Sequence, residues 1–202
     1  MALGSFYPFS RNHNSISSTQ DQEPYNWKSV AHISRKYLKL RYSLHSYYYT
    51  LMHTSHVMGW PLWRPIFFHD NSDEARFIDD QVFIGGDLLL SPVLLEASRS
   101  LIVRLPKGEW DEWDSFNFVK STSRAIKIEY SAPIDFISLH LRAGSIILQQ
   151  DAKMTLFETR KSEFKLLIAF NSSGKASGSV YWDDGVSISS QNHTIQIESE
   201  MA

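Results

Sequence analysis

The chain of 202 residues contains no cysteine. Disulfide scaffolds, thiolate zinc sites and cysteine nucleophiles are therefore excluded. The formal net charge is only −2, so no overall positive charge points to nucleic-acid binding. No apolar run approaches the roughly 20 residues that a membrane-spanning helix needs. The first residues also lack the basic region and long apolar stretch of a signal peptide, which leaves the localisation open.

Aromatic residues are abundant, at 13% of the chain. Such a composition is compatible with carbohydrate chemistry, in which rings stack on sugars, and equally with an ordinary aromatic core. Composition alone favours the core. The length allows one large domain or two small ones, and a chain of this size can bury a substantial apolar core without disulfides.

The first third of the sequence predicts a loop, a helix and a strand. Residues 1–30 are mostly polar and predict a surface loop. Ser34 as an N-cap and Gly59 as a C-terminal stop predict one helix over residues 34–58, with apolar residues at three- and four-residue spacing. The apolar run 60–68 predicts a buried strand, so this region has the order of an αβ unit from a parallel sheet.

The remaining sequence predicts short strands. Several runs alternate apolar and polar residues and are separated by turn residues, which favours an antiparallel sandwich. Asp183-Asp-Gly185 between two such runs predicts a hairpin. The strand candidates are residues 87–95, 100–105, 125–130, 136–141, 145–148, 164–170, 178–182 and 194–198.

The best candidate for ligand binding is the polar loop that contains Phe9, Arg11 and His13. A histidine can form hydrogen bonds with sugar hydroxyls through both ring nitrogens, and an arginine can anchor the loop. The alternative is an ordinary solvated loop tip.

Other clusters of reactive side chains favour structural roles. His45, His53 and His56 share a helix face, but no motif fixes a further ligand, so we expect packing rather than a metal site. The acidic pairs at 79–80 and 183–184 lie in turns, where adjacent carboxylates are common. Asn171 and Asn192 begin glycosylation sequons, which accept a glycan only if the chain enters the secretory pathway.

Motifs along nearly the whole chain resemble those of glycoside hydrolase family 31, with the greatest similarity to its maltase-glucoamylase and sucrase-isomaltase group. The motifs are specific in combination and in order. They are 4–14 (GSFYPFSRNHN), 22–24 (QEP), 41–51 (RYSLHSYYYTL), 56–59 (HVMG), 64–68 (RPIFF), 80–85 (DQVFIG), 88–94 (LLLSPVL), 105–110 (LPKGEW), 132–135 (APID), 139–142 (LHLR) and 181–185 (YWDDG).

The resemblance implies a fold of the α/β plus all-β class: a C-terminal remnant of a (β/α)8 barrel followed by antiparallel β-sandwich domains. Residues 1–70 would be the end of the barrel, residues 71–147 a proximal β-sandwich and residues 148–202 a truncated distal β-domain. Ala97 and Ala143 stand where glycine is usual in the family, which costs little at negative φ and more at positive φ.

The activity implied by the resemblance is retaining hydrolysis of terminal α-glucosidic bonds in maltose-type oligosaccharides. His13 matches the family histidine that binds glucose hydroxyls, and Arg11 and Phe9 match the loop that shapes that pocket. The family's nucleophile and acid/base aspartates lie in motifs that do not occur in these 202 residues. We therefore expect no catalytic residue here, and an isolated chain that is inactive.

The expected partner is an α-glucoside or maltooligosaccharide, bound weakly at best, with no cofactor, no metal and no nucleic acid. Two rival hypotheses stay open. The chain could be a non-catalytic carbohydrate-binding module that uses Trp110, Trp113 or Trp182 as a stacking surface, or a gene-fragment product without a stable function.

Overall fold

The computed structural model describes residues 2–18, 20–188 and 191–201. Three helices come first, α1 (Ala2–Phe6), α2 (Lys28–Ser43) and α3 (His45–Met58). The strands are β1 (Trp63–Pro65), β2 (Val82–Ile84), β3 (Leu88–Ser91), β4 (Ser100–Leu105), β5 (Gly108–Glu112), β6 (Phe118–Ser121), β7 (Ile126–Ser131), β8 (Ser138–Arg142), β9 (Ser145–Gln150), β10 (Phe164–Ala169), β11 (Lys175–Trp182) and β12 (His193–Glu200), with α4 (Leu156–Arg160) between β9 and β10. The fold is mixed α and β, with β-sheets predominating.

The helical region begins earlier than the sequence predicts. Residues 1–30 are not all loop, because α1 lies there and α2 begins at Lys28. The predicted N-cap Ser34 is wrong: this residue lies inside α2, and its hydroxyl donates to the Val30 carbonyl oxygen at 2.6 Å. The single predicted helix is two helices that meet at Leu44, whose N–H still donates to the Leu40 carbonyl. Gly59 ends α3 at φ 73°, as predicted.

The predicted buried strand over residues 60–68 is wrong in extent and in direction. β1 covers only three half-buried residues and pairs antiparallel with β2, and residues 66–68 form a 3-10 turn. Pro65 explains the short strand, because proline cannot donate to a sheet ladder and its ring restricts the backbone. The structure therefore shows no parallel sheet at this position.

Most strands belong to two sheets. The larger sheet has six strands in the order β1-β2-β3-β8-β5-β6, and all its pairs are antiparallel. The smaller sheet has the order β10-β9-β11-β12, in which β9 and β11 touch through one parallel bridge. A ribbon of β4 and β7 packs against the larger sheet.

Two apolar cores lie on opposite faces of the six-stranded sheet. Leu88 and Leu90 point toward α2 and α3, whereas Leu89, between them, points toward the β4–β7 ribbon. This is the two-residue alternation of a strand that is covered on both faces. The apolar stripe predicted for the helix is confirmed, because Leu44 and Leu51 are buried in the first core.

The strand predictions were incomplete in the middle of the chain. Sequence reasoning missed β5 and β6, because the acidic residues around Trp110 leave no alternation of apolar and polar residues in β5, and because β6 is only four residues long. It also missed the partner of the last strand: β12 pairs with β11 along its whole length. The hairpin predicted at residues 183–185 is a longer connection, since Trp182 faces His193 across the pair.

Candidate functional site

The loop predicted to bind sugar is firmly held at its beginning. The Arg41 guanidinium, on α2, donates to the carbonyl oxygens of Ser5 (2.9 Å), Pro8 (2.8 Å) and Tyr7. The Tyr7 ring stacks on Trp63 at a centroid distance of 4.4 Å. The chain therefore leaves α1 in a fixed direction before it reaches Phe9.

Beyond Pro8 the loop extends into solvent. The Phe9 side chain is 75% exposed, and Arg11 and His13 are exposed as well. The Asn12 amide donates to the Gln22 carbonyl oxygen at 3.0 Å, which joins the two arms of the loop. Neither Arg11 nor His13 forms a side-chain hydrogen bond or ion pair with another residue that the structure describes, so Arg41 anchors the loop in the way suggested for Arg11.

Phe9, Arg11 and His13 thus have one property in common, which is that their side chains are exposed to solvent. An exposed imidazole and guanidinium keep all their hydrogen-bonding atoms available for a ligand rich in hydroxyls. The exposed Phe9 ring can cover an apolar sugar face. The arrangement can bind and orient a sugar, but it holds no carboxyl group that could act on a glycosidic bond.

Asp183 is the centre of a hydrogen-bond network in which Tyr49, Tyr181 and Arg160 also take part. Its carboxylate accepts hydrogen bonds from the hydroxyls of Tyr49 (2.6 Å) and Tyr181 (2.9 Å) and from the Gly185 N–H (2.8 Å). Arg160 lies 3.7 Å from the same carboxylate and donates to the Asp183 carbonyl oxygen at 2.6 Å. This network joins α3, α4 and the end of β11.

The electrostatics of this network keep Asp183 ionised. Burial raises the pKa of Asp183, but the hydrogen bonds from Tyr49 and Tyr181 outweigh burial and leave the pKa below its usual value. Burial and the same hydrogen bond raise the pKa of Tyr49 to about 12. Both oxygens of the carboxylate accept hydrogen bonds from within the fold, which fits a structural role and not a catalytic one.

The other acidic pair, Asp79 and Asp80, differs from Asp183. Both residues are exposed and line a groove of about 440 Å³ next to Tyr7 and Trp63. Neither carboxylate forms a hydrogen bond or ion pair with any other residue in the described ranges. The prediction that these pairs are turn residues agrees with their placement outside the strands.

A third network joins the six-stranded sheet to the β4–β7 ribbon. The Tyr130 hydroxyl donates to Glu112 at 2.8 Å and lies 3.1 Å from His140 Nε2. His140 is 1% exposed, and burial lowers its pKa to about 4, against the opposing effect of the Glu112 carboxylate. The imidazole is therefore neutral at pH 7. Sequence reasoning missed this network, because the three residues come from β5, β7 and β8.

Two of the three histidines of α3, His45 and His53, pack against tyrosine rings, whereas His56 is exposed. The His53 ring stacks on Tyr181 at 3.7 Å with an interplanar angle of 6°. Burial and the Arg160 and Arg41 charges lower the pKa of His45. Among the residues that the structure describes, no group of three or more His, Asp or Glu side chains is arranged to hold a metal ion.

The tryptophans proposed as stacking surfaces are largely covered. Trp110 is fully buried, so it cannot contact a ligand. The Arg160 guanidinium lies 4.0 Å from the Trp182 ring centroid, and Phe164 packs edge-on against the same ring. Trp113 is half-buried against the first core. The hypothesis that Trp110 is a stacking surface for carbohydrate is therefore wrong. One face of the Trp182 ring is covered by Arg160, so that face is not available to a sugar either.

The two sequons differ in accessibility. Asn171 Oδ1 accepts hydrogen bonds from the N–H groups of Ser173 (2.9 Å) and Lys175 (3.0 Å), so its side chain shapes the turn before β11. Asn192 is exposed. Glycosylation at either residue stays a prediction. Within residues 2–18, 20–188 and 191–201, no helix is both long and apolar enough for a membrane span.

Comparisons with known proteins identify the family. The model of the glycosyl hydrolase family 31 TIM-barrel domain matches residues 1–51, and that of the family 31 C-terminal domain matches residues 59–147. An alpha-glucosidase of Mucor javanicus is 39% identical over 192 residues, which is 93% of this chain and 22% of that protein. The probable maltase-glucoamylase 2 of Homo sapiens is 40% identical over 93% of this chain and 7% of its own length.

Solved structures give the same result. The glucosidase II alpha subunit in a Glc1Man2-bound form superposes with a TM-score of 0.90 at 26% identity, over 98% of this chain and 22% of that one. A dextranase of Flavobacterium johnsoniae in complex with glucose has a TM-score of 0.81 at 26% identity, over 89% of this chain and 23% of that one. The chain thus spans about a fifth of the length of most of these relatives. Two adjoining domain models and relatives across its length show that the chain belongs to glycosyl hydrolase family 31 and is of the maltase-glucoamylase type.

Proposed function

We propose that these residues are the part of a retaining α-glucosidase that follows its catalytic aspartates. In this proposal residues 1–70 are the end of a (β/α)8 barrel, residues 71–147 a proximal β-sandwich and residues 148–202 part of a distal β-domain. The substrate is the terminal α-glucosidic bond of a maltose-type oligosaccharide. Relatives named as alpha-glucosidase and as probable maltase-glucoamylase support this substrate class.

The observation that carries the proposal is the contrast inside one loop. Arg41 fixes the chain up to Pro8, and from Phe9 to His13 the side chains are exposed. A loop with an anchored base presents its groups in a defined direction, which lowers the entropic cost of ligand binding. In the proposed pocket, His13 binds glucose hydroxyls, whereas Arg11 and Phe9 shape its wall.

A polypeptide of these 202 residues alone should bind glucose weakly and should not hydrolyse maltose. Retaining hydrolysis needs a nucleophile and an acid/base carboxyl group about 5–5.5 Å apart across the sugar. The family's two aspartate motifs do not occur in these residues. The carboxylate of Asp183 is occupied by its own hydrogen bonds, and the groove that Asp79 and Asp80 line does not include residues 9–14.

The test is nuclear magnetic resonance of the 202-residue polypeptide during titration with α-glucosides. We expect maltose to shift the resonances of residues 9–14 in the millimolar range and His13→Ala to abolish these shifts. A cooperative thermal transition for both proteins is the control for folding, and it also excludes a gene fragment without a stable fold.

Each part of the proposal can fail separately. The absence of shifts in residues 9–14 at saturating maltose would contradict the assignment of the glucose pocket. Release of glucose from maltose by the polypeptide, above the rate of His13→Ala, would contradict the expected lack of hydrolysis. Shifts that persist in His13→Ala would remove the role assigned to the imidazole.

A further inference from the structure

The net charge of −2 conceals a strong asymmetry along the chain. Residues 24–69 contain six Lys or Arg residues and no Asp or Glu, so the rest of the chain has a formal net charge of −8. α2 alone carries five of these cations. Arg41 is used within the fold, where it holds the carbonyl oxygens before the His13 loop. The other cations of α2 lie on or near its solvent face.

A groove of about 960 Å³ lies between α2 and residues 152–161. Arg35 and Lys39 line one wall, and Lys153 and Lys161 line the other. Arg35 and Lys39 are one helical turn apart, so both face the groove from the same side of α2. Its volume lies within the range of about 300–1,000 Å³ that is usual for ligand clefts.

Three of the four positive charges of the groove have no ion-pair partner in the described part of the chain. Arg35, Lys39 and Lys161 form no salt bridge with any residue in the described part of the chain. Lys153 lies 4.0 Å from Asp151, at the limit of an ion pair. Glu158 also lines the groove, and its carboxylate accepts a hydrogen bond from the Thr155 hydroxyl at 3.2 Å. Four cations thus face one carboxylate.

Apolar side chains lie between these cations. Leu38 is 38% exposed and Met154 is 91% exposed, and both line the groove together with Tyr42. A lipid surface would need a flat or convex basic face, and duplex nucleic acid would need no apolar contacts. An open groove with cationic groups on both walls and apolar groups between them fits an extended peptide that carries both acidic and apolar side chains.

We propose that the groove between α2 and residues 152–161 binds an acidic peptide segment of a protein partner. The carboxylates of the segment pair with Arg35, Lys39, Lys153 and Lys161 at the rim, and its apolar side chains contact Leu38 and Met154. Charge complementarity selects the partner and accelerates association, whereas the apolar contacts set the register. This role goes beyond the proposed glycosidase function, because none of these residues belongs to the His13 loop.

The test uses fluorescence anisotropy with a labelled peptide of three Glu-Leu-Glu-Ser repeats and its counterpart with Gln in place of Glu. We expect the Glu peptide to bind at least about tenfold more tightly than the Gln peptide at low salt, because the ion pairs are screened only weakly there. Combining Arg35→Glu with Lys39→Glu should weaken binding of the Glu peptide by about tenfold or more.

The matched control is Lys107→Glu, which changes an exposed cation far from the groove in sequence and outside its lining. We expect a change of less than about twofold for this variant. Met154→Gln should weaken binding by a smaller factor, since it removes only an apolar contact. Thermal melts of all variants check folding, and Arg35→Gln with Lys39→Gln replaces the double variant if charge reversal unfolds it.

Several outcomes would overturn the assignment. Equal binding of the Glu and Gln peptides would show that charge is not recognised. Equal losses in the groove variant and in Lys107→Glu would show non-specific attraction. Tighter binding to vesicles that contain phosphatidylserine, or to a short DNA duplex, than to the Glu peptide would assign the surface to a membrane or to nucleic acid.

Discussion

Two motifs of the family, the loop 9–14 and the turn 181–185, are built in opposite ways. Around Asp183, two tyrosine hydroxyls, a backbone N–H and an arginine converge on one carboxylate. Around His13, the side chains of Phe9, Arg11 and His13 are exposed, and the loop is held by Arg41 at its base and by the hydrogen bond from Asn12 to the Gln22 carbonyl oxygen. A motif whose polar groups form hydrogen bonds within the protein holds the fold together, whereas a motif whose polar groups have no partner in the protein is available to a ligand. The difference is invisible in the sequence, where both are short polar runs beside aromatic residues.

The largest effect should come from removing the centre of the Asp183 network. We expect Asp183→Ala to lower the free energy of unfolding by about 3 kcal/mol, because two phenol hydroxyls and the Arg160 charge lose their partner in a partly buried site. Urea denaturation at neutral pH measures this loss. Asp183→Asn should have a smaller effect, since the amide oxygen keeps one acceptor.

The control for this variant is Asp79→Ala, in the exposed acidic pair. That substitution should change the free energy of unfolding by less than about 0.5 kcal/mol, as is usual at the surface. Equal losses from Asp79→Ala and Asp183→Ala would mean that the network contributes nothing beyond the removal of a carboxylate.

The second effect concerns pH and the buried His140. Its pKa is about 4 in the folded state, below the value of about 6.5 for an unfolded chain. The unfolded chain therefore binds the proton first on acidification, so stability is highest above pH 6.5 and falls as the pH approaches 4. We expect a loss of about 2 kcal/mol between pH 7 and pH 5.

Urea midpoints across that pH range measure the His140 contribution, and His140→Gln should flatten the dependence because glutamine does not titrate. Burial also lowers the pKa of the half-buried His69 to about 4, helped by the Arg142 and Arg64 charges. Since His69 is only half-buried, solvent screening weakens its contribution, and His69→Gln should remove a smaller part of the slope than His140→Gln. A slope that is unchanged in both variants would refute the assignment to these imidazoles.

The spacing of apolar, polar and glycine residues predicted correctly those helices and strands that depend on residues close together in the sequence. The alternation from Ile126 to Tyr130 gave a correct strand, and Gly59 ends α3 because a left-handed residue is needed there. The helix boundary at Ser34 failed because a serine hydroxyl inside a helix bonds to the preceding turn, which looks the same in sequence as a cap. Pro65 was a signal against a long strand that the apolar run obscured.

The networks could not be predicted from spacing. Tyr49 and Asp183 are 134 residues apart, and Arg41 reaches carbonyl oxygens more than 30 residues earlier. The residue types made the loop with His13 a candidate for ligand binding, and the resemblance to a family assigned it to a glucose pocket. No local feature distinguishes it from a solvated loop, since its distinctive property is the absence of partners. The five basic residues of α2 can be read from the sequence, but the net charge of the whole chain gives no sign of this local excess.

The third prediction concerns Ala97, which lies in a turn at a position where the family usually has glycine. Ala97 has φ 60°, a left-handed conformation that costs an L-residue about 1–2 kcal/mol. Ala97→Gly relieves this strain but adds backbone freedom to the unfolded chain, so we expect a net gain of about 0.5–1 kcal/mol. Thermal denaturation at constant pH measures it.

Ala143 is the matched control, because it also replaces a usual glycine but is not among the residues with positive φ in the described chain. Ala143→Gly should destabilise the protein by about 0.5–1 kcal/mol through unfolded-state entropy alone. Opposite signs for the two substitutions would support the φ assignment. A gain in both, or a loss in both, would contradict it.

The smallest effect on stability is expected at the candidate site itself. His13→Ala and Phe9→Ala should each change the free energy of unfolding by less than about 0.5 kcal/mol, because both side chains are exposed and make no contact that the fold depends on. Residues kept for binding and not for folding give this signature: no change in the urea midpoint, together with loss of the maltose-induced shifts. A loss of stability above about 1 kcal/mol in either variant would place the loop in the framework with Asp183 and remove the contrast between the two motifs.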